Sequence, residues 1–187
     1  MVKLGMMRRC LVGIFAGIAL FGAAPALARE DVPGLRGHKA AVLFFVATDC
    51  PVSNSYAPEI RQICAQYAPR GIAFRLVYPD ANLSPAAAKR HATEYDFGCP
   101  AVLGPKGRLA RVSGATVTPE AAVYRADGVL VYRGRIDDKF VGFGRQRVQA
   151  ARHDLRQVLD ALTRGEAQTP HCTRAVGCFI SGTAAAQ

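Results

Sequence analysis

The stretch FFVATDCPVSNSYAPEI, Phe44 to Ile60, decides how this chain reads. An apolar run ends at Asp49-Cys50-Pro51 and reopens as a helical pattern carrying a second proline, Pro58. Upstream, Ala40 to Ala47 is a short, continuous apolar run rich in Val and Phe. A strand buried on both faces of a parallel sheet has this composition. Downstream, Val52, Tyr56, Ile60, Ile63 and Tyr67 recur at spacings of three and four, which predicts a helix from Cys50 to Tyr67. Pro58 should bend that helix, because it removes one backbone hydrogen bond. Cys50 thus stands where a strand gives way to a helix.

Working outward, Gly71 to Tyr78 reads as a second strand, and Ser84-Pro85 as a cap and first position opening a helix towards Tyr95. A short strand is expected near Pro100 to Leu103, then a loop or short helix around Lys106 to Ser113. Glu120 to Arg125 and Val129 to Arg135 are apolar runs joined by Ala126-Asp127-Gly128, a hairpin signal. A final helix is predicted over Val148 to Thr163, with Val148, Leu155, Val158, Leu159 and Leu162 on one face and Gly165 ending it. Residues 168–187 read as a tail. The order predicts an α/β fold, a central mixed sheet with helices on both faces.

The first 28 residues read differently. Lys3, Arg8 and Arg9 precede the uncharged run Leu11 to Phe21, Pro25 breaks it, and Ala26-Leu27-Ala28 fits a small-x-small cleavage site. That is the grammar of a secretory signal peptide. The competing reading is a retained anchor, since Cys10 to Ala28 approaches the roughly 20 residues a span needs; Pro25 and the alanine-rich end favour cleavage. The expectation is an exported protein, periplasmic or secreted, with no stable membrane anchor after cleavage. Residues 29–165 form one domain, and 166–187 a cysteine-containing tail. Beyond residue 28 the chain keeps 21 Lys and Arg against 14 Asp and Glu, scattered along its length. The cluster of Arg145 and Arg147 is short and lacks interleaved aromatics. This excludes the usual footprint of a nucleic-acid partner.

Export implies an oxidising compartment, and the five cysteines beyond the leader, Cys50, Cys64, Cys99, Cys172 and Cys178, are an odd number. No spacing suggests zinc, and His38, His91, His153 and His171 show no ligand pattern; no metal or other cofactor is expected. Cys50 at a helix start faces unpaired N–H groups, a placement that lowers thiol pKa values to roughly 3.5–7.5. Pro51 costs nothing at the first helical position. Ser53, one turn on, can donate a hydroxyl hydrogen bond to a thiolate but cannot form a disulfide. Asp49 opposes ionisation. The alternative reading of Cys50 is an inert buried thiol.

These features resemble the thioredoxin-like superfamily, specifically its exported redoxin-type (AhpC/TSA-related) branch, here with a Cys-x-x-Ser motif. A buried strand ends in Cys50 at a helix start, Pro58 follows eight residues on, and Thr118-Pro119 precedes the hairpin where the family carries its cis-proline loop. The segments ATVTPEAAVYRADGVLVYRGRIDD and TRAVGCFI are also similar to exported redoxin-domain proteins. The resemblance spans about residues 40–163. It implies that Pro119 is cis and that the backbone at Thr118 pairs with an extended substrate segment. Two departures stand out. Ser53 replaces the local resolving thiol, and Ala47 replaces the threonine that orients peroxide in peroxiredoxins. Asn54 stands where a copper-delivery relative would carry a second cysteine.

The hairpin returns Arg135 to Phe140 to the Pro119 end of the sheet. Arg135 or Lys139 could therefore support a thiolate, and Asp137 or Asp138 could accept a proton, unless the loop is simply solvated. Cys64, 14 residues along the helix and about 21 Å away, is too far to bond Cys50 and reads as a core residue. Cys99 opens a parallel strand at the opposite end of the sheet. Cys172 and Cys178 either bond each other across a short loop, or Cys178 resolves Cys50, which the family-like AVGCFI ending favours. The expected function is a thiol–disulfide oxidoreductase using Cys50, Ser53, Pro119 and Cys178, with protein or small-molecule thiols and disulfides as partners. The alternatives are a peroxiredoxin-like peroxidase and a non-catalytic thioredoxin-fold binding module.

Overall fold

The computed structural model describes residues 32–104 and 107–183; the signal-peptide reading of residues 1–28 lies outside them. Strand β1 (Ala40–Phe45) is wholly buried. Its alternating side chains feed two cores, Ala40, Val42 and Phe44 on one face and Ala41, Leu43 and Phe45 on the other. This is why the run contains no polar residue. After the Asp49–Cys50 turn come two short helices, α1 (Pro51–Ser55) and α2 (Ala57–Tyr67), in place of the single bent helix expected. The break falls at Tyr56, whose N–H turns back to Ser53 O at 3.1 Å, and Pro58 cannot donate to restore the ladder.

The chain continues through β2 (Ile72–Tyr78), α3 (Pro85–Glu94), β3 (Ala101–Leu103) and α4 (Arg108–Ser113). The expected Ser84 cap is present, its side chain accepting from Ala87 N at 3.2 Å. Then follow β4 (Val117–Thr118), β5 (Glu120–Arg125), β6 (Leu130–Gly134), a small ribbon of β7 (Phe140–Gly142) and β8 (Arg145–Gln146), and α5 (Asp154–Thr163). The tail adds β9 (His171–Cys172) and β10 (Cys178–Phe179).

The main sheet has the order β3-β2-β1-β5-β6-β9. The β1/β2 and β2/β3 pairs are parallel, while β1/β5 and β5/β6 are antiparallel. Helices α2, α3 and α5 cover one face; α4, Val32, Leu35 and Ile180 of the tail cover the other. The fold is therefore the expected α/β thioredoxin-like one, with helices on both faces. Each large side chain fully buried here, such as Phe44 stacked on Phe74 at 6.0 Å, stabilises the fold by about 1.5–3 kcal/mol. Among the described residues no helix is long and apolar enough to cross a membrane.

Helix α5 begins six residues later than its periodicity predicts, and Val148 is 97% exposed. Asp138 explains the difference. Its carboxylate accepts from Ala151 N at 2.7 Å and Arg152 N at 2.9 Å, holding residues 147–152 as a loop. These backbone donors would otherwise have served an extra helical turn.

Candidate active site

Cys50 is the N-cap of α1, with extended backbone (φ −93°, ψ 107°), and Pro51 occupies the opening of the helix beyond it. The residue is completely covered. Its Sγ–H donates to the carbonyl oxygen of Thr118 at 3.0 Å, and the sulfur accepts from Ser53 N at 3.4 Å. The Thr118–Pro119 peptide is cis, as the resemblance implied. Cys50 and the Pro119 loop thus meet across the end of the sheet.

The tail completes the site. Strand β10 pairs antiparallel with β4, Cys178 opposite Thr118 and Phe179 opposite Val117. Ile180 N donates to Thr116 O at 2.9 Å, and its side chain is buried in the second core. Gly177 is required here, because a Cβ at that position would overlap the Thr118 carbonyl. The cis-proline edge, expected to receive a substrate segment, is occupied by the chain's own tail. The ladder brings Cys178 near enough to act on Cys50, whereas Cys172 is exposed on β9, paired beside Arg133 on a different sheet.

Burial is the largest influence on Cys50 and opposes ionisation. Hydrogen bonds from the Cys178 thiol, the Ser53 side chain and N–H, and the Thr118 side chain together outweigh it, so the Cys50 pKa falls below its ordinary value. Cys178 is pushed up to about 12 by burial, by its bond to Cys50, and by the charges of Cys50 and Asp49. Of the two thiols, Cys50 is the easier to ionise and Cys178 the harder. Asp49, expected to oppose ionisation of Cys50, helps to keep Cys178 protonated. Ser53 Oγ is buried without a partner of ordinary hydrogen-bond geometry, and its nearness to the sulfur favours the ionised form of Cys50.

The charged segment after β6 is held by other groups. Arg135 pairs with Asp154, Nε to Oδ2 at 2.7 Å. Asp137 accepts from Tyr56 OH at 2.6 Å and from Lys139 N at 2.9 Å, and Asp138 pins the loop before α5. Arg135, expected to support the thiolate, and Asp137 and Asp138, expected to accept its proton, are engaged by these partners. None of the three is among the groups acting on Cys50. Pro51 is exposed beside the site, and Pro119 is buried beneath it.

Three supports were not legible beforehand. Glu120 is 3% exposed, and its Oε2 accepts from Thr116 N at 2.8 Å and Val117 N at 3.3 Å, shaping the loop that carries Pro119. A lone acid heading an apolar strand was the available signal. Asn54 Oδ1 meets His91 Nε2 at 3.0 Å, and His91 Nδ1 meets Tyr78 OH at 2.8 Å, tying α1 to α3 and β2. Tyr56, the break residue, anchors through Asp137. Glu59, Asp137 and His153 also bring one ligand atom each within 4.8 Å of one another. Glu59 is paired with Arg156 at 2.8 Å and Asp137 is doubly bonded as above, so both carboxylates are satisfied without an ion.

Solved structures are similar to this chain in fold. An uncharacterized conserved protein from Geobacillus kaustophilus matches with TM-score 0.70 and 24% identity over 84% of this chain and 88% of its own. A hypothetical protein from Sinorhizobium meliloti 1021 matches with TM-score 0.66 and 26% identity, covering 80% of this chain and 83% of its own. The thioredoxin domain of a thiol-disulfide oxidoreductase from Bacteroides vulgatus matches with TM-score 0.50 and 13% identity, over 69% of this chain and 81% of its own, a likeness of fold alone. No curated protein matches. The AhpC/TSA family model covers residues 28–139, the span from before β1 to the turn beyond β6. With a buried strand delivering Cys50 to a cis-proline loop, this chain belongs to the AhpC/TSA family, within the thioredoxin-like redoxins.

Proposed function

We propose that this protein is a thiol–disulfide oxidoreductase in which Cys50 attacks and Cys178 resolves. The observation that carries the reading is the placement of Cys178 opposite Thr118, whose carbonyl accepts from Cys50, with Cys50 easy to ionise and Cys178 hard. The Cys50 thiolate attacks one sulfur of a substrate disulfide, forming a mixed disulfide and expelling the other sulfur as thiolate. Cys178, giving up its proton, then attacks the Cys50 sulfur. The second substrate thiolate leaves, and a Cys50–Cys178 disulfide remains. Two equivalents of an external thiol restore the reduced enzyme. The substrate reaches Cys50 by displacing β10 from the cis-proline edge, so the tail acts as both cover and resolving arm. The basic, apolar and small-residue leader supports an exported, periplasmic or secreted site of action.

The test is reduction of a protein disulfide, with thiol regeneration, by wild type, Cys50→Ser and Cys178→Ser. Cys50→Ser is expected to be inactive, and Cys178→Ser to accumulate a substrate mixed disulfide on Cys50. A fully active Cys50→Ser variant overturns the reading. So does a stable Cys172–Cys178 bond, with Cys50 always free, in a non-reducing peptide map. Rapid peroxide-driven oxidation of Cys50, without disulfide exchange, would assign peroxidase chemistry to the same pair.

A further inference from the structure

Cys64 and Cys99 line one cavity that Cys50 does not, and topology brings them to each other. Strand β1 runs up to Cys50 and α2 runs back down; β3 begins level with Phe44, so Cys99, two residues before it, lies beside Phe74 of β2, where it and Cys64 of α2 line one cavity. The contact is close. Gly98 sits directly against α2, since a Cβ there would lie 2.9 Å from Arg61 Cγ and 3.5 Å from Arg61 Cα. Arg61 also pairs with Asp96, clamping the same loop to the helix. Cys64, one turn beyond Arg61, is 4% exposed, and Cys99 packs against the core cluster that contains it. Cys99 bears on the ionisation of the Cys64 thiol, and Cys99 Sγ–H donates to Phe97 O at 3.7 Å.

Access is unequal. Both cysteines line a cavity of about 650 Å³ between α2, β2 and the 98–100 loop. Cys99 also lines a second cavity, of about 780 Å³, between α3 and β3. A small reagent therefore meets Cys99 from two sides.

We propose that Cys64 and Cys99 are a second redox pair, oxidised to a disulfide by low-molecular-weight disulfides. The Cys99 thiolate attacks the reagent disulfide RSSR, forming a Cys99–SR mixed disulfide and releasing RS⁻. Cys64 then loses its proton and attacks the Cys99 sulfur, expelling the second RS⁻. In total two cysteine thiols are oxidised and one RSSR is reduced to two RSH. The neighbouring Cys99 and burial raise the Cys64 thiol above its ordinary pKa, so Cys64 serves as the resolving thiol. The product fastens α2 to the segment leading into β3, closing a loop of more than 30 residues, independently of Cys50 and Cys178.

A Cys10→Ser, Cys50→Ser, Cys172→Ser, Cys178→Ser variant of the full chain keeps only these two thiols. After incubation with oxidised glutathione, the expected result is loss of both free thiols without retained glutathione, and a Cys64–Cys99 cross-link in a non-reducing peptide map. Oxidation is expected to raise the thermal midpoint by roughly 5–15 °C, reversed by reductant. Added Cys64→Ala should instead leave glutathione stably bound at Cys99. If the four-fold variant does not fold, peptide mapping of oxidised wild type reads the same bond. Cys64 remaining free, or bonding to any other cysteine, overturns the proposal.

Discussion

Cys178 lies opposite Thr118 in the β4–β10 ladder, and the carbonyl oxygen of that same Thr118 accepts the hydrogen bond from Cys50. One residue thus holds both thiols. The juxtaposition of Cys50 and Cys178 comes from strand pairing rather than from proximity in sequence.

Displacing the tail should expose Cys50. In Gly177→Val the added side chain collides with the Thr118 carbonyl, so β10 cannot seat. Ile180→Ala removes the apolar anchor just beyond it. Both variants are expected to raise the alkylation rate of Cys50 roughly tenfold or more, the equivalent of about 1.4 kcal/mol of lost docking. They should also slow Cys50–Cys178 disulfide formation, measured by quenched-flow thiol trapping.

Ser53 tunes the nucleophile. Its hydroxyl and N–H both favour ionised Cys50, and only the hydroxyl is lost in Ser53→Ala. The Cys50 pKa should rise in that variant, slowing alkylation near pH 7 severalfold while leaving the limiting rate at high pH unchanged. The alkylation rate against pH measures both.

Glu120 makes stability depend on pH. Burial raises its carboxyl above the ordinary 4.5, although the Thr116 and Val117 N–H groups and Arg133 oppose the shift. From about 4.5 up to the raised value, the unfolded chain releases the proton before the folded one does. The contribution of this group to stability is therefore fully present below that window and lost as pH rises through it. Glu120→Gln keeps an acceptor for both N–H groups and should flatten this slope, as read by urea unfolding across pH 4–7.

The break between α1 and α2 depends on Tyr56. Tyr56→Phe leaves the buried Asp137 carboxylate without a 2.6 Å donor. It is expected to cost about 1–3 kcal/mol in urea denaturation. The pH profile of Cys50 alkylation should stay in place, since neither residue is among the groups acting on that sulfur.

Reading residues in order recovers whatever depends on near neighbours. The two-faced burial of β1, the Ser84 cap, the Asp127-Gly128 turn and Cys50 at its junction are all of this kind, because periodicity and capping are local properties of a chain. Helix α5 shows where that reading stops. Val148 has the right spacing, yet Asp138 takes the backbone donors the helix would have used. Arg135, Asp137 and Asp138 likewise reach the expected end of the sheet and find other partners there.

By itself the sequence determined an α/β chain with a thiol placed between a buried strand and a helix. Only the tertiary structure decided which cysteines meet. Cys178 reaches Cys50 through a β-ladder and Cys99 reaches Cys64 across a helix-to-strand contact, and such long-range pairings leave no periodic trace in the order of residues.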